Sequence, residues 1–340
     1  MNKTWLVLFL PVLFFSCGNK SSGPDVSAIK LNAKIERFDQ QFFSLDTNHL
    51  ASSLQQLRAR DSVFTDAYIN YMTSVGEMSK DENDKIQKLK EYIRQIMPLY
   101  LAVQEKYHDL GWLEKELTRE LKYVKYYFPA FTVPKIYSSV EGFDPTNADE
   151  IYGCMYGNDV LVISLQMFLG ENFSAYDPQY YFEYLRRRFE KQYISRNCMM
   201  KIVEGLYPER PGTSLIEQMI DKGKQWWLLD KFMPDTPDSI KTGFTQEQLD
   251  WCKENEGQIW NKILVDAGDL YTKDPVNIQR YIGEGPKTEG MPDASPGNIG
   301  PWVGLQIVKK FAEKNREIKP SDLMQTPARK ILDEAKYKPK

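Results

Sequence analysis

Apolar residues recur at helical spacing through much of the first half of the chain. Two stripes repeat at intervals of three and four: Ile86, Leu89, Ile93 and Ile96, and then Leu113, Leu117, Leu121 and Val124. This spacing places the apolar side chains on one face of a helix. The pattern therefore predicts that residues 50–127 are mostly helical, with breaks at Pro98 and Gly111.

The pattern changes in the segments that flank this helical region. Ile35-Glu36-Arg37-Phe38-Asp39 alternates like a short edge strand, and residues 135–140 form a second strand candidate. Residues 151–156 and 160–164 flank Gly157-Asn158-Asp159, which is typical of a β-hairpin turn. These segments predict a small sheet.

The C-terminal half returns to helical patterns. Helices are predicted at 191–206, after a capping box at Ser214 and Glu217, and after a second box at Thr245 and Gln248 that continues to 267. Residues 283–301 are rich in glycine and proline and predict a long ordered loop or lid, before a helix at 302–315 and a shorter one after Ser321. We predict a mainly α fold with a small inserted β-sheet, in the α+β class, with one globular domain over 29–340.

The start of the chain has the features of a lipoprotein signal peptide. Lys3 precedes the apolar run of residues 5–15, which is too short for a stable membrane span, and Ser16 precedes Cys17. Leu13-Phe14-Phe15-Ser16-Cys17 resembles a lipobox. We predict that residues 1–16 are removed, that Cys17 carries acyl chains such as palmitate in a membrane, and that 17–28 are a flexible tether.

Composition excludes several other classes of protein. The net charge is −3, and Arg186-Arg187-Arg188 is the one tight basic cluster, so no nucleic-acid partner is predicted. Cys154, Cys198 and Cys252 are widely spaced, and at most one pair could bridge.

Common catalytic motifs are also absent. The two histidines, His49 and His108, lie far apart, and the sequence has neither H-E-x-x-H nor G-x-S-x-G. We therefore assign no catalytic residue, metal or cofactor, and we expect no enzyme activity.

Glu256 interrupts an apolar stripe that Cys252, Ile259 and Ile263 form on the predicted 245–267 helix. A buried carboxylate needs a fixed partner. Glu256 is thus either a general base or metal ligand, or one half of a structural ion pair with a lysine or arginine. Three tryptophans near it are candidates to line a groove: Trp251, Trp260 and Trp302.

Several segments together resemble a known family. Asn255-Glu256-Gly257-Gln258-Ile259-Trp260 and the stretch from Pro296-Gly297-Asn298-Ile299-Gly300-Pro301-Trp302 to Val308 are similar to gliding-motility lipoproteins of the GldB type, found across Bacteroidota. Ile35-Glu36-Arg37-Phe38-Asp39 fits as well. The resemblance implies a cell-envelope lipoprotein associated with motility and protein export, with other envelope proteins as partners and without established catalysis. Gly18, which follows Cys17, is not an acidic retention residue, and this favours the periplasmic face of the outer membrane.

A weaker resemblance links the order of elements to zinc peptidases of the zincin fold. In that family one helix carries H-E-x-x-H and the next carries an acidic ligand before a glycine. Here Ser195-Arg196-Asn197-Cys198-Met199 has no histidine, and Lys222 stands just before Gly223, with Asp221 one position earlier. This resemblance implies a degenerate zincin-like metallopeptidase fold whose cleft, with Asp221 and Gly223 added to the groove, binds other molecules. The alternatives to a docking module are an envelope hydrolase acting on peptides or peptidoglycan with Glu256 as base, and a receptor for a soluble ligand.

Overall fold

The computed structural model describes residues 23–78, 81–145, 150–210 and 212–339. The predictions for residues 1–16 and for Cys17 lie outside the described residues. Gly23 and Val26, inside the predicted tether, already pack against the folded domain, where Gly23 approaches Tyr123 and Pro234 and Val26 is buried.

The N-terminal half is mostly helical, as the apolar stripes predict. It contains the helices α1 Phe38–Phe43, α2 Leu50–Arg60, α3 Ser62–Ala67, α4 Val75–Met78, α5 Glu82–Tyr107 and α6 Gly111–Tyr127, with a π-helical turn at Tyr68–Met72. Gly111 begins α6, as predicted. Pro98 lies inside α5 and does not end it, because α5 buries Leu89 and Ile93 before the proline and Val103 and Tyr107 after it.

Four short strands form one mixed sheet in the order β1-β2-β4-β3. The strands are β1 Ile35–Glu36, β2 Lys135–Ser139, β3 Cys154–Gly157 and β4 Val160–Ser164. β1, β2 and β4 are parallel, whereas β3 and β4 form the predicted antiparallel hairpin. Asn158 and Asp159 both have positive φ, as a tight hairpin turn requires. The predicted strand at 35–39 ends at Glu36, because Phe38 already begins α1.

The C-terminal half consists of helices α7–α16. Their bounds are α7 Glu183–Arg186, α8 Ile194–Leu206, α9 Leu215–Phe232, α10 Asp238–Thr242, α11 Gln246–Glu254, α12 Glu256–Ala267, α13 Pro275–Ile282, α14 Ile299–Lys314, α15 Pro320–Gln325 and α16 Ala328–Ala335. Both predicted capping boxes are present, at Ser214 and at Thr245. The predicted loop at 283–301 is shorter than expected, because α14 begins at Ile299 and includes Pro301 in its first turn.

The predicted helix over 245–267 is two helices that meet at Asn255. The backbone N–H of Asn255 and its side-chain Nδ2 both donate to the carbonyl of Trp251, at 3.0 and 2.8 Å. Asn255 itself has φ −115° and ψ 16°, outside the helical region, so α11 ends here and α12 begins at the next residue. Glu256 is therefore the first residue of α12, where it is half-buried, whereas Cys252, Ile259 and Ile263 of the predicted stripe are buried.

A continuous hydrophobic core joins both halves, from Ala33 to Ala335. At its centre α9 packs along α14, and both helices run in the same direction, because Gly300 lies beside Met219 while Lys309 lies beside Asp230. α9 is thus the central helix of the fold, and the candidate site lies beside it.

Candidate functional site

Gly223, one of the predicted groove residues, lies where α9 and α14 approach most closely. A Cβ on Gly223 would stand 2.2 Å from the backbone carbon of Gly304, and a Cβ on Gly304 would stand 1.7 Å from the carbonyl oxygen of Met219. Both positions must be glycine, because a side chain at either one would prevent this backbone contact. Gly223 therefore serves helix packing and does not line an open groove.

A cavity of about 640 Å³ opens beside the N-terminal half of α9. We call it the α9 cavity. It is formed by residues from the α8–α9 connection, from α9 and from α15: Leu206, Tyr207, Pro208, Glu209, Arg210, Gly212, Thr213, Gln218, Asp221, Lys222, Lys224, Gln225, Met324 and Gln325. Of the predicted groove residues, Asp221 is the one that lines this cavity.

Paired charges dominate the chemistry of the α9 cavity. Asp221 accepts from Arg210 at 2.7 Å and from Lys224 at 2.9 Å, and Lys222 pairs with Glu209. Burial lowers the pKa of Lys224, although its contact with Asp221 opposes that effect. Paired cations and carboxylates of this kind can bind a polar segment of another molecule, because each charged group can leave its present partner and pair with a charge on that molecule.

Glu256 and Trp302 line a second and much smaller cavity of about 90 Å³. Lys241 lies in its wall between Asp230, at 2.7 Å, and Asp238, at 2.9 Å. Burial alone would lower the pKa of Lys241, but the two carboxylates outweigh it and the pKa is raised. Of the predicted groove residues, Asp221 therefore lines the first cavity and Glu256 and Trp302 the second, whereas Gly223, Trp251 and Trp260 line neither of the two.

The partner of Glu256 is a hydroxyl group and not the lysine or arginine that the ion-pair interpretation expects. Tyr337, after the end of α16, donates from its hydroxyl to Glu256 Oε1 at 2.7 Å. Burial and the nearby Glu256 raise the pKa of Tyr337. Trp260 is buried with its ring edge-on to Tyr337, at 5.3 Å between centroids, and Trp251 is half-buried against the core. These contacts attach the C-terminal segment to α12.

A buried polar cluster at the carboxyl ends of β2 and β4 was missed by sequence reasoning. Ser139 and Ser164 are paired across these parallel strands, and Glu141 and Gln166 follow them closely in the chain. Burial raises the pKa of Glu141, against the opposing effects of Ser164, Gln166 and Ser139. Polar residues at the end of an otherwise apolar strand were the available signal.

Asp39 connects this cluster to the motif that carries the family resemblance. Its carboxylate is fully buried and accepts from Arg37 at 2.7 Å, from Gln104 at 2.8 Å and from Ser138 at 2.6 Å. These hydrogen bonds to the ionised carboxylate compensate for burying the negative charge of Asp39. The Arg37 and Asp39 of the motif therefore have a structural explanation: they join α1 to β2 and α5.

Another buried group, Glu120, lies on α6 beneath α8. Its carboxyl group is within hydrogen-bonding reach of Ser195, and its pKa is raised to about 8, chiefly because burial disfavours the charged form. The thiols of Cys154 and Cys198 lie nearby and 3.5 Å apart, without a disulfide bond. Cys252 is buried separately on α11.

Within the described ranges, no three or more histidine, cysteine, aspartate and glutamate side chains are grouped so that they could hold a metal ion. The described helices also include none that combines the length and apolar character needed to span a membrane. His49 is exposed and contacts Asp46, and His108 is exposed after the end of α5.

These features define a mainly helical α+β protein with a charged cavity beside its central helix. The sequence model of one protein family, described as gliding motility protein GldB, matches residues 19–339. The chain therefore belongs to the GldB family. No curated protein and no solved structure matches it, so the similarity to the zincin fold stays a prediction.

Proposed function

We propose that this protein is a lipoprotein of the cell envelope, held in a membrane by acyl chains on Cys17, which docks other envelope proteins of a gliding-motility or export assembly. The observation that carries the proposal is the family match over nearly the whole chain. The lipobox-like residues before Cys17 support the anchor. The periplasmic face of the outer membrane is the proposed location, because Gly18 is not an acidic retention residue.

The docking role rests on the α9 cavity. Its volume of about 640 Å³ and its paired charges suit a polar segment of a partner protein better than an apolar ligand. Asp221 contributes to the cavity as an ion-pair partner of Arg210 and Lys224. Glu256, bonded to Tyr337, belongs to the smaller cavity and is assigned a structural role.

Replacing Cys17 by alanine tests the anchor. We expect Cys17→Ala to abolish incorporation of an alkyne-tagged palmitate, because the thiol that receives the lipid is gone, and to remove the lipid mass from the N-terminal peptide. Cys252→Ala is the matched control, since Cys252 is buried on α11, and it should label like the native chain. Equal labelling of Cys17→Ala and the native protein would contradict the proposal.

A further inference from the structure

The point at which the fold begins fixes which surface lies nearest to the anchor. Gly23 is packed against Tyr123 of α6 and Pro234, which follows α9. Five residues lie between Cys17 and Gly23, and the six steps of chain that join the two span at most about 20 Å. The C-terminal end of α9 is therefore held close to whatever membrane receives the lipid.

Three helices end near this point. Phe128, after α6, contacts Phe232 at the end of α9, with 5.9 Å between the ring centroids. A shallow groove of about 510 Å³ lies between the ends of α6, α9 and α14. We call it the tether-side groove, and it is lined by Tyr127, Trp227, Asp230, Lys231, Lys309, Ala312, Glu313, Asn315, Arg316, Ile318 and Pro320.

The tether-side groove combines aromatic rings with cations. The ammonium of Lys231 lies 4.9 Å from the centre of the Trp227 ring, which is itself buried, and Arg316 is exposed. Tyr126 is 48% exposed and lies edge-on to Tyr127. Three cations outnumber the two carboxylates, Asp230 and Glu313, and Asp230 is paired with Lys309 at 3.3 Å.

This combination suits the interface of a phospholipid bilayer. Tyrosine favours the headgroup region because its ring is apolar and its hydroxyl reaches water. Lysine and arginine are attracted to anionic headgroups. Neither property alone would select a membrane, but here both occur beside the start of the tether.

We propose that the tether-side groove and Tyr126 rest on the phospholipid headgroups of the membrane that holds the Cys17 lipid. The contact gives the domain a fixed orientation. This inference rests on the proposed lipid anchor, and it adds the surface that faces the membrane. The α9 cavity, beside the N-terminal half of the same helix, then points toward the aqueous side, where a partner protein can reach it.

The opposite end of α9 provides a matched reference position. α9 has 18 residues, and a helix of that length measures about 27 Å. Tyr271 lies in the segment that bonds to its N-terminal end, through Ile216 N to Leu270 O at 3.0 Å, and is 42% exposed. Tyr126 and Tyr271 are thus exposed tyrosines at the two ends of the axis.

Site-specific photo-crosslinking tests the orientation. The lipidated protein is reconstituted into vesicles of phosphatidylethanolamine and phosphatidylglycerol, with benzoylphenylalanine in place of either Tyr126 or Tyr271. Irradiation is expected to give phospholipid adducts at position 126 and none above the dark control at position 271. Adducts at 271 equal to those at 126, or adducts at neither position, would overturn the inference.

A chemical anchor separates this inference from the proposed lipidation. If intact mass shows no native lipid, the mature chain beginning at Cys17 can be coupled through that thiol to a maleimide phospholipid, because Cys154, Cys198 and Cys252 are buried. The same difference between positions 126 and 271 is then expected. The double variant Lys231→Glu with Arg316→Glu should lose adducts at 126 while keeping the melting temperature. Unchanged adducts would contradict the role of the two cations.

Discussion

Gly304→Ala is expected to destabilise the protein by about 3 kcal/mol or more. The new methyl group would stand 1.7 Å from the carbonyl oxygen of Met219 and 2.4 Å from its carbon, which are backbone atoms of α9. A flexible side chain can move away from such a contact, but a buried helix backbone cannot do so without separating α9 from α14. Gly223, one turn after Met219 on α9, also packs against the backbone of Gly304, so the close approach extends over a full turn of α9.

Urea unfolding measures this effect. Gly157→Ala is the control, because a Cβ at Gly157 would meet no atom within 4 Å, and its free energy of unfolding should change by less than about 1 kcal/mol. Comparable stability of Gly304→Ala and Gly157→Ala would show that the two helices do not approach as closely as described.

Glu120→Gln is expected to stabilise the protein at pH 8 or above by roughly 3–5 kcal/mol and to have little effect near pH 4. Burial is the main cause that raises the pKa of Glu120 to about 8, with a smaller contribution from Glu116. Its Oε2 atom has no hydrogen-bond partner among the described residues. Ionisation therefore leaves a poorly compensated charge in the core.

The sign of this pH dependence follows from proton binding. Between about pH 4.5 and 8 the folded state keeps the proton on Glu120 and the unfolded state releases it, so the stability of the native protein falls as pH rises through this window. Above it both states are ionised and the loss is constant. Urea midpoints across this range test the prediction, with Glu105→Gln, on the exposed face of α5, as control. A gain from Glu120→Gln that does not vary with pH would contradict it.

Local patterns in the sequence predicted most elements of the fold. The hairpin at Gly157-Asn158-Asp159, the capping box of Thr245 and the stripes of α5 and α6 depend on residues a few positions apart. Such signals depend on backbone geometry that is set locally. For that reason they remained correct inside the tertiary structure.

The misjudged features depend on tertiary contacts. The break at Asn255 lies where the backbone leaves the helical region, at φ −115° and ψ 16°, and the apolar stripe that continues past it concealed the break. Pro98 is accommodated in α5 because both flanking segments are buried. Gly223 does not line the predicted groove because it packs against Gly304, which lies 81 positions away, and no local pattern reports such a contact.

An in-cell crosslinking pull-down with a blocked cavity tests whether the anchored protein docks its partners through the α9 cavity. Gln325→Trp places a large side chain at the cavity wall, and Gln258→Trp makes the same change at an exposed position of α12 outside it. We predict that envelope proteins recovered with the native chain and with Gln258→Trp are lost with both Gln325→Trp and Cys17→Ala. Equal recovery with Gln325→Trp and Gln258→Trp would contradict docking through this cavity.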